Sequence, residues 1–444
     1  MKLALIGGGG VRAPEFVKGL LLFARDLDLQ ELWLMDVDPE RLDIIGELCR
    51  QLITSSSKTL SVFTTLNLDD ALRNANIIVT TMRVGFEQGR VLDERVALRH
   101  NVLGQETTGA GGFSMAMRSI PALLEAAEKT EALAPGAWTF NFTNPAGLVT
   151  QALHTAGFRR IVGICDSANT AQHEIAYYLG CPVDTVKTEV YGLNHLSWTR
   201  CAYLHGRDVL PELLHNDQFL HDTHLRIFDE RLVRRLGMFL NEYLFYYYCR
   251  DVALERIKAE ELTRGEEIQQ LNQQLFATLR TATDKLGEYD RYNARRNATY
   301  MAYAQPDNII EKTALHTQET VGGYAGVALR TALALFKDRP LRIGLNVPNQ
   351  GAIDGLAADD IVEVTCTVDG SGIHPIYIGE IPEDTYLLIR AVKRYERLAV
   401  QAILSKNRML AIDALFAHPL IGSYPLAEKL VDAYLEVHHL QGWL

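Results

Sequence analysis

The stretch KLALIGGGGVRAPEFVKGLLLFA, residues 2–24, constrains the fold more than any other part of the chain. An apolar strand runs into four glycines and then into residues with helical spacing. Such a turn lets the backbone approach a pyrophosphate at the N-terminus of the following helix. The glycines do not form a clean G-x-G-x-x-G, because Arg12 or Ala13 stands where the last glycine belongs. Gly7 and Gly9 supply the tight turn and the close approach, and Gly8 between them is counted with them as cofactor-binding. A second strand, LQELWLMDVD, ends near Asp36, 29 residues after Gly7. A carboxylate there accepts from a ribose hydroxyl and repels a 2′-phosphate, which favours NAD over NADP. A glycine turn in an unrelated α/β protein is the plain alternative.

The same rhythm continues to about residue 165. LSVFTTLN, NIIVTTM, AWTFNFTNP and RIVGICD read as strands separated by helical segments. Strands alternating with helices predict a doubly wound, mostly parallel α/β sheet of the Rossmann type. No linker composition marks a boundary. We place it softly between residues 165 and 195, with 1–170 as the NAD-binding domain. Residues 171–444 then form an α+β domain for substrate, metal and oligomerisation. Within it, 211–290 reads as largely helical. LRIGLNVPNQGAI and DIVEVTCTVDGSGIHPIYIGEI read as strands with a Gly-Ser-Gly turn. Apolar residues at 388, 391, 392, 395, 398 and 399 define one helix face, suited to core or a subunit interface.

A net charge of −11 without runs of one sign excludes a bulk basic surface for nucleic acid. No apolar stretch reaches membrane-spanning length, so no membrane partner is expected. Cys49, Cys165, Cys181, Cys201, Cys249 and Cys366 show neither CxxC nor a framework spacing, which suits reduced cytoplasmic thiols.

In an open α/β sheet the ligand lies at the carboxyl edge. TMRVG, NFTNPAG and GICDS all fall at such strand ends. Asn141 and Asn144 offer amides to cofactor or sugar hydroxyls, and Pro145 restricts Asn144 to extended geometry. A structural Asx turn is the competing reading. Cys165 closes one strand, and His195 follows thirty residues later in YGLNHLSW. Alone, the first reads equally as a small buried hydrophobe and the second as a hydrogen-bonded structural histidine.

Longer segments carry a resemblance. They are IGGGG…P, MDVDPERL (35–42), RVGFEQGRVLDERVALRHNVLGQETTGAGGF (83–113), NFTNPAG, GICD, GLNHLSW (192–198), YLFYYY (243–248), NVPNQGAI (346–353) and VKRYERLAVQA (392–402). In this order they resemble the family 4 glycoside hydrolases, specifically the 6-phospho-β-glucosidase branch. That family is an exception to the two-carboxylate scheme of glycoside hydrolysis.

The resemblance implies a fold similar to lactate and malate dehydrogenases, and a requirement for NAD⁺ and a divalent metal, usually Mn²⁺. It implies oxidation at sugar C3, deprotonation at C2, elimination of the glycosidic oxygen, water addition and return of the hydride. Cys165 and His195 are implied as metal ligands, Tyr243 as the C2 base and Asp166 as an acid for the leaving oxygen. Arg41, inside MDVDPERL, joins the cofactor residues. The substrate is implied to be a small phosphorylated glycoside or disaccharide, with Arg90, Asn144 and Arg296 holding its phosphate or sugar, and the assembly to be a homodimer or homotetramer.

Two departures matter. The family's Lys-Arg-Gly-Gly segment is replaced here by NARRNATYMAY, with Arg296 (or Arg295) in register and both glycines missing. Asp166 follows Cys165 where β-branch members carry Asn, as in the phospho-α branch, so a 6-phospho-α-glucosidase is the runner-up. A 2-hydroxyacid dehydrogenase is a distant alternative, since HGR at 205–207 lacks the acid that follows the catalytic His-Gly of those enzymes. A non-catalytic NAD-binding regulator would have no use for Cys165, His195 and Tyr243 together.

Overall fold

The computed structural model describes residues 1–56, 59–305, 323–440 and 442–443. The N-terminal strands are β1 (Lys2–Ile6), β2 (Glu31–Met35), β3 (Ser61–Thr65), β4 (Ile77–Thr80), β5 (Trp138–Asn141) and β6 (Ile161–Gly163). They pair in parallel in the order β3-β2-β1-β4-β5-β6. This is the doubly wound dinucleotide-binding order, with its switch point between β1 and β4. The central strands β1 and β4 are almost wholly buried and nearly continuous in apolar residues, as covered parallel strands are. The edge strand β3 is half exposed and carries Ser61, Thr64 and Thr65.

Helices α1 (Ala13–Phe23), α2 (Pro39–Ser55), α3 (Leu68–Leu72), α4 (Phe86–Arg99), α5 (Gly109–Leu133) and α6 (Ala146–Thr155) connect these strands. The start of α2 is written locally. Asp38 caps it by accepting from the Glu40 and Arg41 amides, and Pro39 opens its first turn.

The second half supplies β7 (Val186–Leu193), β8 (Leu196–Leu204), β9 (Arg207–Asp208), β10 (Phe239–Leu240), β11 (Leu341–Pro348), β12 (Ile361–Asp369) and β13 (Gly372–Pro375). The strands expected from LRIGLNV and DIVEVTCTV do form. They extend the first sheet, with β11 antiparallel to β6 and then β12 and β13, giving nine strands across residue 170. Strands β7 to β10 make a separate four-stranded sheet. Residues 211–290 are mostly helical, including Arg250–Ala259 and Arg264–Thr281, but β10 and the turn Glu242–Leu244 interrupt them. The amphipathic face near Leu388 belongs to the helix Glu383–Ser405 and turns Ile389, Val392, Tyr395, Ala399 and Ile403 into the core of this chain. Among the described residues no helix is long and apolar enough to cross a membrane.

Candidate active site

All the expected site residues except Gly8 and Asn141 line one cleft of about 1920 Å³ at the carboxyl edge of the parallel strands. That is larger than a pocket for one drug-sized ligand and leaves room for a dinucleotide beside a sugar.

The glycine turn forms the cofactor end. Gly7 has φ +96°, and a Cβ on it would lie 2.8 Å from the Thr81 carbonyl. Only glycine fits there. Asp36 faces the turn: its Oδ2 accepts from the Gly9 amide at 2.9 Å and its Oδ1 from the Val37 amide at 2.8 Å. Oδ1 also accepts from the Asp38 amide at 3.3 Å, so Oδ2 is the oxygen that keeps a lone pair for a ribose hydroxyl. Burial pushes the Asp36 pKa up, and these backbone donors oppose the shift. Arg41 also lines the cleft, but its guanidinium grips Glu87 through two nitrogens, at 3.1 and 2.8 Å.

Beyond β6 the chain brings Cys165 and His195 together. Cys165 Sγ lies 3.6 Å from His195 Nε2 and 3.1 Å from Ser167 Oγ. Bonds of ~2.3 Å to sulfur and ~2.0 Å to nitrogen, about a tetrahedral angle apart, place two ligand atoms ~3.5 Å from each other. The donor pair therefore fits a shared first-row divalent ion. His195 is buried, and burial lowers its pKa to about 4 against the pull of Glu242, Glu106 and Asp166. The imidazole is thus neutral, as a metal ligand must be. Burial raises the Cys165 thiol pKa, with Asp166 and Glu363 adding to it. Among the described residues no group of three or more His, Cys, Asp or Glu side chains forms a closed metal cage. An open site with two protein ligands leaves positions for substrate oxygens and water.

The Tyr243 ring stacks on the His195 imidazole, with centroids 3.5 Å apart and planes 7° from parallel. Its hydroxyl accepts from Tyr300 Oη at 2.7 Å. Burial raises the Tyr243 pKa, Glu242 and Cys165 add to this, and the Tyr300 hydrogen bond opposes it. Asp166 Oδ1 lies 3.8 Å from Cys165 Sγ at the same edge.

The arginines separate into two kinds. Arg90 donates to Glu94 at 2.7 Å and to Glu106 at 2.9 Å, so its charge is already matched. Arg296 carries a buried Nε with no hydrogen-bond partner. Burial, then the neighbouring cations Arg12 and Arg264, depress its pKa to about 10. Arg264 pairs with Glu267 at 2.6 Å, whereas Arg296 lines the cleft with no ion-pair partner among the described residues, the electrostatic signature of an anion site.

Two expectations need correction. Asn141 is fully buried; its Oδ1 accepts from Thr80 Oγ1 at 2.9 Å and from the Thr143 amide at 3.1 Å. Its amide nitrogen turns to Thr143, Ala146 and Thr150, so it shapes the turn and does not reach the cleft. Gly8 packs beneath the turn, where a Cβ would meet Leu34 Cα at 2.8 Å. Asn144 does line the cleft, and its peptide bond to Pro145 is cis. Sequence reasoning missed Tyr300, Arg12 and Glu106. Arg12 and Glu106 lay inside matched segments, and charge on a cleft-lining turn was the available signal.

The parallel core and its edge cleft place the chain among the doubly wound α/β proteins. The model for "Family 4 glycosyl hydrolase" matches residues 2–181, and that for its C-terminal domain matches 190–421. The chain belongs to the family 4 glycosyl hydrolases. It is 31% identical to the 6-phospho-beta-glucosidase of Escherichia coli over all of its own length and 96% of that protein. The 6-phospho-beta glucosidase of Thermotoga maritima, solved with manganese, NAD⁺ and glucose-6-phosphate, superimposes with TM-score 0.84 at 28% identity, both chains fully covered. A 6-phospho-alpha-glucosidase from gut microorganisms, solved with NAD and Mn²⁺, superimposes with TM-score 0.82 at 25% identity, covering 99% and 98% of the two chains. A lactate dehydrogenase from a deep-sea metagenome (TM-score 0.52, 13% identity, 91% and 98% covered) and the Plasmodium falciparum malate dehydrogenase (TM-score 0.51, 15%, 91% and 99%) share the fold alone, as expected.

Proposed function

We propose that this chain hydrolyses 6-phospho-β-glucosides, using NAD⁺ and a divalent metal of which Mn²⁺ is the first choice. The observation that carries this reading is the grouping of Cys165, His195 and Tyr243 in the cleft that also holds the Gly7–Asp36 turn. When bound, NAD⁺ supplies a reversible hydride acceptor and the metal supplies Lewis acidity toward the sugar oxygens.

The residues of the chain divide the remaining work. Gly7, Gly9 and Asp36 seat the dinucleotide, with Asp36 selecting against a 2′-phosphate. Cys165 and His195 hold the metal. Tyr243 takes the proton from C2 and returns it, its oxygen positioned by Tyr300. Asp166 protonates the leaving oxygen or binds a sugar hydroxyl. Asn144 contacts cofactor or sugar. Arg296 receives the 6-phosphate, and Arg90, its charge matched by Glu94 and Glu106, lines the same cleft. Residues 1–170 serve the cofactor and 171–444 the substrate, the metal ligands coming one from each. A cytoplasmic homodimer or homotetramer completes the proposal, and light scattering checks the subunit number.

Asp166 favours a second reading, a 6-phospho-α-glucosidase, because an acid follows the metal cysteine. Chromogenic 6-phospho-β- and 6-phospho-α-glucosides, each with NAD⁺ and Mn²⁺ under reducing conditions, separate the two. Faster turnover of the α anomer overturns the β assignment. No turnover of either, or stoichiometric NADH, overturns the hydrolase reading.

A further inference from the structure

A buried carboxylate that no motif singled out lies behind the metal pair. Glu363, on β12, has no exposed surface. Its Oε1 accepts from Asn194 Nδ2 at 3.1 Å and Asn346 Nδ2 at 3.0 Å, and its Oε2 accepts from Ser197 Oγ at 2.8 Å. All three donors are neutral. An isolated buried carboxylate is costly, so one held without a cation calls for a reason.

The three donors reach both metal ligands and the proposed base. Asn194 immediately precedes His195 in the two-residue turn between β7 and β8, where Leu193 pairs with Leu196. Asn346 pairs across the sheet with Glu363 on one side and with Gly163 on the other. Gly163 lies two residues before Cys165, and a Cβ on it would meet Asn346 Cβ at 2.8 Å. Ser197 Oγ accepts from Asn241 Nδ2 at 3.2 Å, and Asn241 Oδ1 accepts from the Tyr243 amide at 3.0 Å. One carboxylate thus ties the hairpin tip carrying His195 to the strand row that ends in Cys165. It ties the turn carrying Tyr243 to the same point. A second anchor, Val190 N to Thr365 Oγ1 at 2.9 Å, holds the hairpin's base but not its tip.

We propose that Glu363 is a positioning residue for the metal pair, fixing the Cys165–His195 separation by holding Asn194 and Asn346 on one oxygen. The inference rests on the metal reading given above. Groups that orient metal ligands from behind cost about 10- to 100-fold in metal affinity when removed.

The test is Mn²⁺ titration by electron paramagnetic resonance on the full chain, with NAD⁺ affinity measured beside it. Glu363→Ala should weaken Mn²⁺ binding by about 10- to 100-fold while NAD⁺ affinity is unchanged. Glu363→Gln keeps an oxygen for both asparagines and should restore most of the Mn²⁺ affinity. If Glu363→Ala fails to fold, Asn194→Ala removes one tie without emptying the core and should weaken Mn²⁺ binding in the same direction. Wild-type affinity in Glu363→Ala, or in Asn194→Ala where that variant stands in, overturns the proposal. So does an equal loss in Ala and Gln variants, which would make the charge the cause and not the hydrogen bonds. A wild-type protein that binds no Mn²⁺ overturns the metal reading as well, which distinguishes the two failures.

Discussion

Replacing Arg296 by Met should make the unliganded protein more stable and the phosphorylated substrate harder to bind. In the structure its guanidinium stands near Arg12 and Arg264, with a buried Nε lacking a partner. Its pKa falls from the ordinary arginine value above 12 to about 10, chiefly through burial and then through those cations. At ~1.4 kcal/mol for each factor of ten, the unliganded fold bears up to ~3 kcal/mol of penalty. Arg296 keeps some contact with cleft water, which screens the charge, so we expect ~1–2 kcal/mol to be recovered. The sign follows from the direction of the shift. A cation with a depressed folded pKa destabilises the fold at every pH below that value, so neutral pH exposes the gain in full.

The substrate side moves oppositely. A hydrogen bond to a charged group contributes ~1.5–3 kcal/mol, so losing it should raise KM for a 6-phosphoglucoside about 10- to 150-fold. Arg90→Met is the contrasting case. It strips Glu94 of its cation and leaves Glu106 with Arg83, and should cost ~3–5 kcal/mol of stability. Calorimetry without ligands and initial rates with phosphorylated and unphosphorylated glucosides check both variants. A lower melting temperature for Arg296→Met with KM unchanged would falsify the assignment of the anion site to Arg296.

Four other outcomes are expected. NAD⁺ should support activity far better than NADP⁺, and Asp36→Asn, which keeps an acceptor for the Gly9 amide, should narrow the gap; an equal response of the wild type to both cofactors defeats the reading. Cys165→Ser and His195→Ala should abolish Mn²⁺-dependent turnover and leave NAD⁺ binding intact; full activity of either in metal-free buffer rules the site out. In D₂O the product should carry deuterium at C2, and Tyr243→Phe should slow both exchange and turnover by about 10²-fold or more; product that keeps protium contradicts the elimination route. Burial lowers the His224 pKa but the Glu174 carboxylate 3.1 Å away overrides it, to about 9. The stability from this pair is complete below ~6.5 and is lost as pH rises through about 9, by at most ~3 kcal/mol; urea midpoints that show no such fall, or the same fall in His224→Gln, refute it.

What was legible in the sequence follows from how local its causes are. The Gly7 turn, Asp36 and the parallel strands are set by neighbours in the chain, so periodicity and glycine placement reveal them. The attachment of β11 to β6 is not local: Asn346 meets Gly163 across more than 180 residues, and alternating apolar runs look the same in either sheet. Arg90 reads as an anion ligand until Glu94, one helical turn on, and Glu106 are seen to occupy it. Asn141 and Asn144 have the same chemistry three residues apart, and only burial decides that one braces the turn while the other faces the cleft. Glu363 sits in an unremarkable strand, IVEVTCTVD, and its role depends on three partners from two other segments, the hairpin tip at 194–197 and β11.

The turn that carries His195 gives the clearest separation of folding from function. His195 has φ +61°, a left-handed conformation that costs a non-glycine residue roughly 1–2 kcal/mol. Glycine or asparagine would occupy the position more cheaply, and an asparagine stands immediately before it. Asn194 is instead spent on the Glu363 carboxylate. Two residues earlier, Gly192 has φ +140°, and a Cβ there would strike the Leu196 carbonyl at 2.2 Å. The hairpin therefore yields to sterics where the backbone demands it, at Gly192, and keeps a strained imidazole where it does not. Such strain persists only when the surroundings over-determine it. Here they are the Glu363 ties on one side and the stacked Tyr243 ring on the other. The ring of His195 turns its Nε2 to Cys165 Sγ at 3.6 Å. A costly backbone conformation held with Nε2 turned toward a thiol is what the proposed ligand role at Nε2 calls for.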